Sequence, residues 1–62
     1  MGEAEKFYVG QKVKHVSSPG KGIGTVTAVK ASKFMGLMVE VEWAKCRAWY
    51  YEVELQVLEV VS

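Results

Sequence analysis

The stretch "LMVEVEW", residues 37–43, decides the fold that this sequence predicts. Its two glutamates alternate with Val39, Val41 and Trp43. Side chains of a β-strand point alternately to its two faces, so a period of two is typical of a strand with one buried face. We therefore expect Val39, Val41 and Trp43 to line a core, with the glutamates on the opposite face.

Other extended segments surround this strand and are separated from it by turn signals. The segment "QKVKHV" alternates lysines with valine and histidine, while "TVTAV", "RAWYYEV" and "QVLEVV" are rich in β-branched or aromatic residues. Such compositions favour strands, and the clusters of glycine, serine and proline between them favour turns. A single 3-10 turn is expected before the last strand. The five predicted strands lie at about residues 11–16, 24–31, 37–43, 47–51 and 56–60.

Short strands with short connections predict an all-β antiparallel meander. The chain has 62 residues, which is enough for one domain only. A sheet of this size can bury one face and protect its edges by curling and closing on itself, so we expect a five-stranded small barrel. The barrel is predicted at residues 9–62 and an N-terminal tail at residues 1–8, with Phe7, Tyr8 and Val9 packed against the barrel.

The composition is that of a folded chain outside membranes. Half of the residues are hydrophobic, which argues against disorder. No apolar run approaches the roughly 18 residues of a membrane span. The start, "MGEAEKF", lacks the basic and apolar regions of a signal peptide, so we expect a cytoplasmic protein with no membrane contact.

The residues that usually support catalysis or metal binding are scarce. Cys46 is the only cysteine, His15 is the only histidine, and the chain contains no aspartate. A disulfide, a zinc site or a cysteine–histidine nucleophile pair is therefore not expected. The sequence predicts a chain without enzymatic activity, catalytic residues, metal or cofactor.

Positive charge is concentrated in the first half of the chain. Residues 1–33 carry six lysines and two glutamates, whereas residues 34–62 carry one lysine, one arginine and five glutamates. Lys12 and Lys14 share a strand face by alternation, and we expect antiparallel pairing to bring Lys30 close to Lys12. Such a stripe binds phosphates, although lysines on a strand face also serve simply as solvated edge protection. The candidate nucleic-acid contacts are Lys12, Lys14, Lys21, Lys30 and Lys33.

The loop "SSPGKGIGTV", residues 17–26, allows two interpretations. Its glycines let the backbone approach a ligand closely, and with Lys21 at its tip the loop could meet a phosphate. The spacing is not that of a P-loop, however. The alternative is a hairpin that needs glycine for its turn and for a bulge in the next strand.

Aromatic and sulfur-containing residues supply the remaining candidates. Trp49 and Tyr50 are neighbours on one predicted strand and must point to opposite faces. An exposed ring there could stack on a base, join a cage for a methylated lysine or form a self-association surface. The alternative is that the small core needs both rings. Trp49 is the aromatic residue that we add to the nucleic-acid contacts. Phe34 and Met35 lie in the apolar loop "SKFMGLM" and either close the barrel end or form, with Tyr50, an interaction surface.

The first half of the chain, "VGQKVKHVSSPGKGIGTVTAV", resembles the KOW motif of ribosomal proteins and transcription elongation factors. That motif has a glycine before a basic strand, a Gly-Pro-basic turn, two spaced glycines and Val-x-x-Val. Ser18 replaces the glycine before proline, and Gly22 and Gly24 are one residue closer than usual. The matching positions are Gly10, Val13, Pro19, Lys21, Gly22, Gly24, Val26 and Val29.

The second half, "VEVEWAKCRAWYYEVELQVL", is similar to Tudor-type and related SH3-like barrels. The shared features are a Val-x-Val-x-Trp strand, a short turn, an aromatic strand and Glu-Leu-x-Val-Leu, although this turn lacks the family's acidic residues and glycine. The opening around His15 also resembles the C-terminal barrel of some bacterial helicases. Together the resemblances cover residues 9–60, and all of them imply an SH3-like barrel. The matching positions are Val39, Val41, Trp43, Trp49, Tyr50, Glu54, Leu55, Val57 and Leu58.

Three functional hypotheses follow from these patterns. The first is a noncatalytic module that contacts RNA or DNA through its basic face and exposed aromatic residues, as the KOW resemblance implies. The second is a protein-interaction module of Tudor or SH3 type, or a homo-oligomer. The third and most remote is an enzyme similar to type II dihydrofolate reductase, another short SH3-like chain, but "AWYY" stands near the place of that family's Val-Gln-Ile-Tyr signature. Fold alone carries no chemistry, so the third hypothesis has the least support.

Overall fold

The computed structural model of the chain describes residues 7–61 and contains five strands and two 3-10 segments. This arrangement confirms the all-β, five-stranded prediction. In chain order the elements are β1 (Lys12–His15), a 3-10 turn (Pro19–Lys21), β2 (Ile23–Ser32), β3 (Gly36–Glu42), β4 (Arg47–Tyr51), a 3-10 helix (Glu52–Val57) and β5 (Leu58–Val60).

All strand pairs are antiparallel, and the strands form one sheet in the order β4-β3-β2-β1-β5. The 3-10 helix carries the chain from β4, at one end of this order, back to β5 beside β1. The sheet therefore curls into an SH3-like small barrel, as expected, but its hydrogen-bonded ladder is not closed between β4 and β5 within residues 7–61.

A bulge in β2 allows this strand to pair with β1 at its beginning and with β3 along the rest of its length. Residues 23–25 pair with β1, and residues 25–32 pair with β3. The register with β3 shifts between Val26 and Ala28, which leaves Thr27 as the extra residue. Because a bulge resets the alternation and bends the strand, Val26 and Val29 both contribute to the core although they are three residues apart.

The core lies on the concave side of the curled sheet. It contains Val39, Val41 and Trp43, as the alternation of β3 predicts. The indole Nε1–H of Trp43 donates a buried hydrogen bond of 3.1 Å to the hydroxyl of Tyr50. The buried hydrophobic residues are Phe7, Val13, Val26, Val39, Val41, Trp43, Tyr50 and Leu58.

The packing of the core depends on the absence of a side chain at Gly24. This glycine is buried in β2, and a Cβ placed there would lie 2.5 Å from Val41 Cγ1 and 2.7 Å from Trp43 Cε3. Ordinary contacts between carbon atoms are about 3.5–4.0 Å. Gly24 thus lets the backbone of β2 approach two core side chains closely, which explains one glycine of the loop "SSPGKGIGTV".

Three details differ from the predicted boundaries. Phe7 is buried in the core, so the predicted tail of residues 1–8 includes a core residue, while Tyr8 and Val9 are exposed rather than packed. A 3-10 segment precedes the last strand, as predicted, but it extends over six residues and takes the first two positions of the predicted last strand. No helix among the described residues is long and apolar enough to cross a membrane.

Candidate functional site

The convex side of the sheet, formed by β2, β3 and β4, carries the candidate site. Its side chains follow from the strand register, in which Lys30 pairs with Met38 and Met38 with Tyr51. One step along the strands Glu40 pairs with Trp49, and Glu42 pairs with Arg47. We call this surface the outer face, defined by Lys30, Met38, Glu40, Glu42, Arg47, Trp49 and Tyr51.

Two exposed aromatic side chains of β4 lie on the outer face. Trp49 is 36% exposed and Tyr51 is 37% exposed. They are two residues apart on β4, which separates them by about 6.6 Å along the strand. Tyr50, between them, points inward and is only 8% exposed. Its placement in an interaction surface is therefore corrected: Tyr50 is a core residue, and its hydroxyl is the acceptor for Trp43.

Lys30 provides a positive charge beside these rings. Its Nζ lies 5.7 Å from the centroid of the Trp49 ring, within the range of a cation–π interaction. The ion pairs found among residues 7–61 join Lys14 to Glu59 and Arg47 to Glu42, so Lys30 has no carboxylate partner in this part of the chain. The ammonium group is therefore available to an anion at the edge of the aromatic surface.

The carboxylates of the outer face are engaged locally. Glu40 accepts a 2.9 Å hydrogen bond from the hydroxyl of the bulge residue Thr27. Glu42 lies 3.6 Å from the guanidinium of Arg47, and both side chains are more than half exposed. An exposed pair of this kind contributes little to stability, about 0–1 kcal/mol, and separates easily. The end of the outer face near Lys30 is thus its most cationic part.

The lysines of β1 do not join Lys30 in one stripe. Lys12 pairs with Thr25, and its Nζ donates a 2.8 Å hydrogen bond to the Thr25 hydroxyl. Lys30 lies five residues further along β2, about 16 Å away at the usual rise of a strand. Lys14 is 3.6 Å from Glu59 of β5. The expectation that Lys30 lies close to Lys12 is wrong, because β1 pairs only with the beginning of β2.

Lys21 lies at the opposite end of the barrel from the β2–β3 turn. It ends the 3-10 turn of the glycine-rich loop, and its Nζ is 5.9 Å from the centroid of the Trp43 ring. Lys21, Trp43 and Lys45 are among the residues that line a cleft of about 240 Å³. Lys45, in the turn between β3 and β4, is not among the contacts predicted from the sequence. This cleft and the outer face are separate parts of the surface.

The turn between β2 and β3 exposes its apolar residues. Phe34 is 92% exposed and Met35 is half exposed, so they do not close the end of the barrel. The Ser32 hydroxyl accepts hydrogen bonds from the backbone N–H groups of both residues, and Lys33 beside them is exposed. These hydrogen bonds fix the backbone of the turn, and the side chain of Phe34 is exposed to solvent.

His15 ends β1, and Cys46 lies in the turn between β3 and β4. The His15 ring packs 6.2 Å from the Trp43 ring and 5.9 Å from the Tyr50 ring, measured between centroids, whereas Cys46 is exposed in the β3–β4 turn. The described residues contain no group of three or more histidine, cysteine, aspartate or glutamate side chains that could hold a metal ion. Neither residue belongs to the outer face.

Tyr51 and Met38 are the hydrophobic residues of the outer face that are not among the candidates predicted from the sequence. The alternation along "RAWYY" places Tyr51 on the same face as Trp49, and this signal was sufficient to find it. The alternation of β3 likewise places Met38 on the face of Glu40 and Glu42. Comparison of the chain with models of protein families, with curated proteins and with solved structures finds no match.

Proposed function

We propose that this chain is a noncatalytic module that binds single-stranded nucleic acid on its outer face. The observation that supports the proposal is the pair of exposed rings, Trp49 and Tyr51, on one face of β4 with the Lys30 ammonium beside them. Aromatic platforms bordered by cations are the usual means of binding single strands without strong sequence preference.

The geometry suits two successive nucleotides. One base would stack on the Trp49 ring, displacing Lys30 from it, and the next would stack on Tyr51. Stacking of a base on an aromatic side chain contributes about 1–3 kcal/mol. The displaced Lys30 would then be free to contact a phosphate, and Lys33 in the adjacent turn extends the cationic edge.

A duplex fits this surface less well. The bases of a duplex are stacked on one another, so their faces are not available to Trp49 and Tyr51. A sheet face of this kind also places no helix or strand in a groove of the duplex. We therefore expect the chain to prefer a single strand over a duplex of the same sequence.

The salt dependence of binding should be moderate because few cations are available. We take Lys30, Lys33 and the β1 lysine Lys12 as the largest set of lysines that contacts phosphates. The slope of the logarithm of the binding constant against the logarithm of the salt concentration would then be about −2 for a single strand. Binding should weaken about 20-fold between 50 and 200 mM salt. A slope near zero would contradict a phosphate contribution.

The test is fluorescence anisotropy of a labelled 12-nucleotide oligothymidylate at 50 mM salt. We expect binding by the full chain and a loss of at least tenfold in affinity for Trp49→Ala. Phe34→Ala is the matched control, since it removes an exposed aromatic ring outside the outer face and should bind as the parent does. Absence of binding by the parent chain, or equal losses in the two variants, would refute the proposal.

A second candidate function is a protein-interaction module that uses the β2–β3 turn. The observation that favours it is Phe34, which is 92% exposed beside the half-exposed Met35. Exposed apolar patches commonly mark protein contacts. This function predicts a flat oligonucleotide titration and a concentration-dependent mass by light scattering that Phe34→Ser abolishes.

A further inference from the structure

The strand β4 ends the sheet on one side and leaves hydrogen-bonding groups of its backbone at an edge. Within residues 7–61 its only strand partner is β3. Edge strands are usually protected by charges, proline or bulges. β4 has five residues, "RAWYY", with no proline, and its pairing with β3 is regular from Arg47 to Tyr51.

The register determines which backbone groups lie at this edge. The N–H of Trp43 donates to the carbonyl of Cys46, so residues 43 and 46 form a hydrogen-bonded pair. Such pairs alternate with non-hydrogen-bonded pairs along an antiparallel ladder. Ala48 and Tyr50 therefore bond to β3, and the N–H and C=O groups of residues 47, 49 and 51 point away from it.

We propose that β4 pairs with β4 of a second copy of this chain in an antiparallel arrangement centred on Trp49. Around a twofold axis at this residue, Trp49 faces Trp49 of the other copy, and Arg47 faces Tyr51. All three are residues whose backbone groups point outward. The pairing therefore forms six backbone hydrogen bonds and joins two five-stranded sheets into one.

The side chains of β4 are complementary in this register. On the outer face each Arg47 guanidinium lies opposite a Tyr51 ring of the other copy, which is a favourable cation–π arrangement. The two Trp49 rings meet at the axis, and no like charges face each other. On the inner side the small Ala48 lies opposite the bulky Tyr50. The exposed pair between Arg47 and Glu42 does not hold the guanidinium away from a new partner.

The other end of the sheet is less suited to such pairing. β5 has three residues, and the N–H of Val61 donates to the carbonyl of Lys12. By the same alternation only Leu58 and Val60 of β5 present outward backbone groups. Two residues give a shorter ladder than the three of β4, so self-association is assigned to β4. The inference does not rest on the proposed nucleic-acid binding, since it is argued from the outward backbone groups of β4.

Site-specific disulfide crosslinking tests the register. The exposed Cys46 is first replaced by Cys46→Ala, and Trp49→Cys or Tyr51→Cys is then introduced into that background. Cα atoms of a directly opposed hydrogen-bonded pair are about 5.5 Å apart, within the span of a disulfide. The two copies of residue 51 would be four residues apart along the ladder, about 13 Å, which is too far.

We expect the Trp49→Cys chain to form a crosslinked dimer at least tenfold faster than the Tyr51→Cys chain under the same mild oxidant. Circular dichroism of each reduced variant confirms that it is folded. Equal crosslinking rates would overturn the proposed register. Sedimentation equilibrium of the parent chain provides a measurement independent of these variants.

In that measurement we expect a monomer–dimer equilibrium for the parent chain and an unchanged dimer fraction for Phe34→Ser. A parent chain that remains monomeric up to about 1 mM would overturn the proposal, and so would loss of the dimer in Phe34→Ser. Oligonucleotide anisotropy is measured on the same samples. A dimer that binds no oligonucleotide refutes only the proposed function, and a monomer that binds refutes only the edge pairing.

Discussion

Replacement of Gly24 by alanine should destabilise the domain strongly, although it adds a single methyl group. The new Cβ would lie 2.5 Å from Val41 Cγ1 and 2.7–2.8 Å from two atoms of the Trp43 ring. Normal contact requires about 3.5 Å or more, so both side chains must move by about 1 Å. Val41 is fully buried and Trp43 nearly so, which leaves them little space for that movement.

The expected cost follows from overpacking of a dense core. Such changes typically lower the free energy of unfolding by about 1–3 kcal/mol. We expect Gly24→Ala at the upper end of this range, because the new methyl group meets two buried side chains. A domain of this size is stabilised by only about 3–5 kcal/mol. With a urea m-value of about 1 kcal/mol/M for a small domain, the unfolding midpoint should fall by about 2–3 M.

Urea unfolding followed by tryptophan fluorescence measures the effect. Gly20→Ala is the matched control, because nothing lies within 4 Å of a Cβ at Gly20 and its φ is not positive. We expect this control to be neutral or slightly stabilising, since it reduces the entropy of the unfolded chain by about 0.4–1 kcal/mol. If the two variants differ by less than about 0.5 kcal/mol, the close approach at Gly24 does not govern the packing.

Two further predictions concern hydrogen bonds. Tyr50→Phe keeps the ring but removes the acceptor of the buried Trp43 Nε1–H, so it should lower the free energy of unfolding by about 1–3 kcal/mol; an unchanged urea midpoint would show that this bond is not required. Glu52→Ala removes the carboxylate that accepts a 2.8 Å hydrogen bond from the Leu37 N–H. Because water can replace that exposed acceptor, the loss should be about 0.5–1.5 kcal/mol, whereas Glu54→Ala should be neutral in the same thermal melts.

The fold could be predicted from local patterns because most strands have a clear chemical signature. The alternation in β3 identified its buried face, and Trp43 occupies the predicted core position. β2 was found by its β-branched residues and its flanking glycines. The bulge at Thr27 has no signature in the sequence, since it depends on how β2 must bend to pair with both β1 and β3.

The candidate site was harder to predict for two physical reasons. Every position from Trp49 to Tyr51 is aromatic, so these three residues by themselves do not tell the inner face from the outer face, and only the charge of Arg47 marks the outer side. The position of Lys30 relative to Lys12 depends on the length of β1, which only the tertiary structure sets. The predicted contact Trp49 lies on the outer face, whereas Tyr50, which the sequence predicts at the surface, lies in the core.

The position of β1 between β2 and β5 has a consequence for synthesis of the chain. Val13 pairs with Val60, so the first strand is completed only by the last. Contacts so distant in sequence raise the contact order and slow folding. A nascent chain can form the β2–β3–β4 hairpins early, but β1 keeps one open edge until β5 has left the ribosome. Deletion of residues 58–61 should therefore leave a species prone to aggregation rather than a slightly smaller domain.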